Sequence, residues 1–94
     1  MTITVRLIGA LRHVSGKNQL SINCKGFTAL KELINAIAEE EPELKASLIS
    51  QQPDDSKANT LILVNGREIS VLDGLETILN DGDEVVFVPV VHGG

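Results

Sequence analysis

Asn80-Asp81-Gly82-Asp83-Glu84-Val85-Val86-Phe87-Val88-Pro89-Val90-Val91-His92-Gly93-Gly94 is the stretch that decides how this chain folds. Asn-Asp-Gly-Asp is a turn, and the run from Glu84 to Val90 is apolar on both of its alternating faces. Such a strand belongs in the middle of a sheet and not at its edge. The rest of the chain supplies its neighbours. Thr2 to Leu7 puts Ile3, Val5 and Leu7 on one face and Thr2, Thr4 and Arg6 on the other, the pattern of a strand buried on one side. Gly9 to Lys17 reads as a connection, with Leu11 and Val14 spaced to tuck back onto the sheet. Leu20, Ile22 and Cys24 then alternate with Gln19, Ser21 and Asn23, predicting a second strand antiparallel to the first.

After the turn Lys25-Gly26-Phe27 the period changes. Thr28 is the expected helix N-cap, with Phe27 placed to staple onto the first turn. Leu30, Leu33, Ile34 and Ile37 fall at helical spacing, while Lys31, Glu32, Asn35 and Glu39 take the other side. Pro42 ends this helix. Leu44, Leu48 and Ile49 suggest a short second one, and the polar stretch 51–59 reads as a loop. Thr60 to Val64 is an apolar strand. Asn65-Gly66 is a two-residue hairpin turn, and Arg67-Glu68-Ile69 returns as the next strand. Val71 to Leu79 is a compact connection. The order is ββαβββ: an α+β fold with one main helix on one face of a mixed five-stranded sheet, in a single domain 1–94 whose residues 89–94 form a flexible tail. With the last strand between the two hairpins, beside the first strand, this is the β-grasp arrangement.

Composition narrows the function. The core is aliphatic, because the chain has two Phe, no Tyr and no Trp. The net charge of −5 comes without a basic cluster, which argues against nucleic acid and anionic membrane as partners. A single cysteine, Cys24, excludes an internal disulfide and a Cys-built metal site. Its phase with Leu20 and Ile22 makes it a small buried hydrophobe. No signal-like segment precedes the first strand and no apolar run reaches membrane-span length, so the expected location is the cytoplasm. Neither His13 nor His92 stands in a catalytic spacing. Glu39-Glu40-Glu41 reads as a solvated helix end, and Gly16-Lys17 lacks the upstream glycine of a phosphate loop. No catalytic or metal site is expected.

Three stretches resemble the MoaD/ThiS sulfur carriers and the ubiquitin-related modifiers. They are Val5-Arg6-Leu7-Ile8-Gly9-Ala10-Leu11-Arg12 with Ser15-Gly16, the hairpin Val64-Asn65-Gly66-Arg67-Glu68-Ile69, and the ending from Leu79 to Gly94. Together they span almost the whole chain. The third is the most specific, an Asp-Gly-Asp-Glu-Val strand running into Gly-Gly. MoaD tails typically carry Pro-Pro-Val before the glycines, whereas a single Pro89 followed by Val-Val-His stands here. The His-Gly-Gly ending is closer to the ubiquitin-related modifiers.

The resemblance implies that the carboxylate of Gly94 is the working group. A ubiquitin-activating-type enzyme would spend ATP to adenylate it, and a sulfur donor would then displace AMP to leave a thiocarboxylate. The product would serve molybdopterin synthase, as its MoaD-like non-catalytic small subunit, or tRNA thiolation. The alternatives are a protein modifier joined through Gly94 to target lysines, and a β-grasp interaction domain without tail chemistry. No bound cofactor is expected. Val91, His92 and Gly93 would form the tail read inside the enzyme cleft, where glycines let the backbone approach closely. Pro89, lacking an N–H, is expected to end strand pairing and release the tail. By alternation Val85 and Phe87 face the helix with Ile3, Val5 and Leu7. Val86 and Val88 then face outward, and with Arg6 and Ile8 they are the expected docking face for the activating enzyme.

Overall fold

The computed structural model describes residues 1–25, 28–44 and 58–91. Five strands form the main sheet: β1 (Thr2–Leu7), β2 (Gln19–Asn23), β4 (Ala58–Val64), β5 (Arg67–Glu68) and β7 (Glu84–Val91). Their order is β2-β1-β7-β4-β5, with β7 central. β7 runs parallel to β1, from Thr4↔Glu84 to Leu7↔Phe87, and antiparallel to β4, from Val64↔Val85 to Ala58↔Val91. This is the β-grasp sheet that the two-faced last strand calls for.

The helix α2 (Leu30–Glu40) buries Leu30, Leu33, Ile34, Ile37 and Ala38 against the sheet. Facing it are Ile3, Val5 and Leu7 of β1, Ile62 and Val64 of β4, and Val85 and Phe87 of β7, all buried. Among the described residues Phe87 is the largest side chain that is fully enclosed. Thr28 is not the helix cap. It pairs with Leu79 in a small second sheet of β3 (Thr28–Ala29) and β6 (Ile78–Leu79), and its side chain is buried there. Ala29 holds the cap position instead, and its N–H donates to Glu32 Oε1 at 2.9 Å. Phe27 lies outside the described residues.

Pro42 ends the helix as expected. Glu41 before it is extended (φ −126°, ψ 79°), as the residue preceding a proline must be. Pro42–Leu44 forms one 3₁₀ turn that buries Leu44. Leu48 and Ile49 lie outside the described residues.

Other boundaries shift where neighbouring backbone offers partners. The connection after β1 contains a one-and-a-half-turn helix, α1 (Ala10–Ser15), closed by Gly16 in the left-handed region (φ 76°). Leu11 enters the core, but Val14 stays 41% exposed. β2 stops at Asn23. Cys24 follows it half-buried, packed against the core, and its N–H donates to the Met1 carbonyl at 2.7 Å. β4 starts at Ala58 and not Thr60, because β7 continues to Val91 and provides rungs for it. Ile69 leaves the sheet for a 3₁₀ turn (Ile69–Val71), in which the Glu68 side chain accepts the Ser70 N–H.

Pro89 does not end the strand. Pro89, Val90 and Val91 all pair with β4, so the expected tail boundary at 89 is moved past Val91. The reason lies in which edge the missing N–H would serve. Thr4 N–H donates to the Asp83 carbonyl at 3.0 Å and Ile8 N–H to the Phe87 carbonyl at 3.1 Å. Odd-numbered residues of β7 therefore turn their backbone groups toward β1, and even-numbered ones toward β4, as with Asn65 N–H to the Glu84 carbonyl at 2.8 Å. The next rung toward β1 would need an N–H at residue 89 for the Ile8 carbonyl. Proline removes that rung alone and costs the β4 ladder nothing. At the same level the chain turns away at Gly9 (φ 62°), where a Cβ would stand 3.3 Å from Pro89 Cγ.

Candidate functional site

The face of the sheet turned away from α2 carries the side chains that alternate with the core. On β7 these are Val86 and Val88, both half-buried. Register brings Leu61 opposite Val88 and Leu63 opposite Val86 from β4, and Arg6 beside Val86 from β1. Leu61 and Leu63 are half-buried and Ile8, just past β1, is 42% exposed. An apolar stripe thus covers β4 and β7, bordered on the β1 side by Arg6 and Ile8. Arg6 Nε lies 2.8 Å from Glu84 Oε2, with both side chains largely in water. An ion pair of that kind adds little stability and leaves the guanidinium available to a partner.

All four residues expected on this face lie on it. Leu61 and Leu63 were missed, although a signal existed. Thr60 to Val64 is apolar at successive positions, so once Ile62 and Val64 are assigned to the core, Leu61 and Leu63 must face outward. Leu11 is buried in the core and does not cover this face. Its helix α1 packs against the Pro42–Leu44 turn on the α2 side.

β7 carries the chain toward the expected reacting end. Val91, opposite Ala58, is its last residue. His92, Gly93 and Gly94 lie outside the described residues. His13 is exposed on α1. Among the described residues no group of three or more His, Cys, Asp or Glu is placed to hold a metal ion. No described helix is long and apolar enough to cross a membrane.

Comparison with known proteins covers the whole chain. The family model for the ThiS family matches residues 5–94. The sequence is 35% identical over 99 residues to ubiquitin-related modifier 1 of Schizosaccharomyces pombe, with 100% of both chains covered. The solution structure of small archaeal modifier protein 1 from Methanosarcina acetivorans is similar at a TM-score of 0.77 and 29% identity, covering 99% of this chain and 96% of that one. The protein–protein complex of subunits 1 and 2 of molybdopterin-converting factor from Helicobacter pylori 26695 contains a chain similar at a TM-score of 0.59 and 29% identity, with 100% of both covered. Relatives of this fold thus assemble with partner proteins. The family model spans residues 5–94 and the 35% identical relative aligns over its whole length: the protein belongs to the ThiS family of ubiquitin-like sulfur carriers and modifiers.

Proposed function

We propose that the Gly94 carboxylate of this carrier is adenylated by a ubiquitin-activating-type enzyme and converted to a thiocarboxylate that donates sulfur. A carboxylate oxygen would attack the α-phosphorus of ATP, forming a C–O–P linkage and releasing pyrophosphate. A sulfur donor at the oxidation level of hydrosulfide would then form the C–S bond as AMP leaves with the C–O electrons. A carboxylate is a poor electrophile, and adenylation supplies the leaving group it lacks. The chain provides the arm and the docking face; the catalytic groups and the bound ATP belong to the enzyme. The acceptor would be a molybdopterin synthase large subunit or a tRNA-thiolating enzyme, in the cytoplasm.

The observation that supports this reading is the placement of β7. One strand presents Val86 and Val88 to a partner and then continues toward the glycines, so docking the open face aims the tail. A modifier role draws on the same adenylate. It is favoured by the His-Gly-Gly ending and by the likeness to ubiquitin-related modifier 1.

Intact mass of the protein purified from its own cells tests both. Exchange of one oxygen for sulfur at the C-terminus establishes the carrier. Because no Lys or Arg follows Arg67, trypsin would leave the whole 68–94 segment on any acceptor lysine, and that branched peptide is the mark of the modifier. Neither species in cells with active sulfur metabolism would overturn the proposal and leave the plain interaction domain.

A further inference from the structure

Three of the most exposed large apolar side chains lie within eight residues of one another, away from the open sheet face. Val71 is 73% exposed, Leu75 48% and Ile78 51%. They sit on two successive 3₁₀ turns, Ile69–Val71 and Gly74–Glu76, and on the first residue of β6. The second turn packs against α2, with Lys31 Nζ 2.8 Å from Glu76 Oε2 and Leu30 N–H on the Thr77 carbonyl at 2.8 Å. The segment therefore belongs to the helical layer, on the other side of the sheet from Leu61, Leu63, Val86 and Val88.

This segment is held in shape. The buried Thr77 hydroxyl donates to the Gly74 carbonyl at 2.6 Å and accepts the Asp73 N–H at 3.1 Å. The first turn is tied by Glu68, whose carboxylate accepts from both the N–H and the hydroxyl of Ser70. Side chains presented on a fixed backbone lose less freedom on binding than those on a mobile loop. Three large apolar side chains this exposed on one short segment offer surface that a partner can cover.

The charge around the segment says which partner. The segment 68–79 carries Glu68, Asp73 and Glu76 and no Lys or Arg of its own; Lys31 from α2 pairs with Glu76, which leaves the segment net acidic. Asp73 and Glu76 alternate with the apolar residues along the segment itself. A second copy of this chain would bring like charges together. We infer that Val71, Leu75 and Ile78 form a second docking surface, for a protein that offers apolar side chains framed by Lys or Arg, and that this surface stays open when the sheet face is occupied. Complementary charge of this kind guides encounter and orientation, and the apolar centre supplies the burial. The tail leaves from the far end of β7, so a partner here need not compete for it.

The test is a titration of the ¹⁵N-labelled full chain with a synthetic amphipathic peptide of Leu and Lys, and with two controls in which Lys is replaced by Glu or Leu by Ser. The Leu/Lys peptide alone should shift the amides of 69–79, and the double substitution Val71→Ser/Leu75→Ser should weaken it at least tenfold while the remaining spectrum is unchanged. Shifts centred on Leu61, Leu63, Val86 and Val88 would overturn the inference. So would equal binding by the Ser-containing peptide, undiminished binding by the double variant, or concentration-dependent self-association through 71–78. The titration uses the chain alone, so its result is independent of whether Gly94 is adenylated.

Discussion

Pro89 shows how little a residue's type says until its partner strand is known. Proline marks a break in pairing, and the sequence supports that much. Which of two ladders it breaks depends on whether residue 89 turns its backbone toward β1 or β4, and that parity is fixed by register between segments some eighty residues apart. Pro89→Ala restores the donor beneath the Ile8 carbonyl. A new hydrogen bond of about 0.5–1.5 kcal/mol is offset by the extra freedom of the unfolded chain, about 0.4–1 kcal/mol. The melting temperature should thus hardly change, while the new amide at 89 becomes protected in hydrogen exchange. Rapid exchange there would refute the assignment of that edge. Gly9→Ala should be costlier. A backbone at φ 62° and ψ −132° costs a non-glycine residue about 1–3 kcal/mol, and the added Cβ presses on Pro89 Cγ. Urea unfolding should show a loss of that size.

At the scale of elements, periodicity was a sound guide wherever an element was long enough to have a period. β1, α2 and β7 could be read because Ile3-Val5-Leu7, Leu30-Leu33-Ile34-Ile37 and the valine run repeat at the spacing of their structures. β3 and β6 could not, since two residues carry no alternation, and Thr28 therefore reads as a cap when its partner is Leu79. The helix end carries a second feature without a local signal: Lys17 Nζ reaches Glu41 Oε2 at 2.9 Å, joining the end of α1 to the end of α2. The hydrogen bond to Glu41, then its charge, holds the Lys17 ammonium above its ordinary pKa of 10.5. A raised folded pKa stabilises fully below the unfolded value and is lost as pH rises through the folded one. Denaturation midpoints should thus fall above about pH 10.5, and Glu41→Gln should flatten that fall; an unchanged profile would show the contact to be idle. In the 3₁₀ segment, Thr77→Val strips both hydroxyl contacts from a buried position, and calorimetry should register a loss of about 1–3 kcal/mol.

For the whole molecule, the proposed docking face was half legible. Alternation places Val86 and Val88 outside from sequence alone, whereas Leu61 and Leu63 join them only when β4 is laid against β7. Val88→Asp and Leu61→Asp each put a carboxylate into this stripe without touching the buried core. Both variants should keep the wild-type circular dichroism spectrum and lose at least about tenfold in adenylation rate, an order set by the roughly 1.4 kcal/mol that each tenfold represents. Wild-type rates in both would remove the face from the mechanism.

The parallel pairing of β1 with β7 has a mechanical consequence. The strands nearest the two chain ends lie side by side and point the same way, so tension between those ends slides one strand along the other. The rungs from Thr4↔Glu84 to Leu7↔Phe87 then resist together, in shear, where a hairpin pulled at its open end would unzip rung by rung. Single-molecule stretching from the ends should meet high resistance, and a force applied across the β4–β5 hairpin should meet much less.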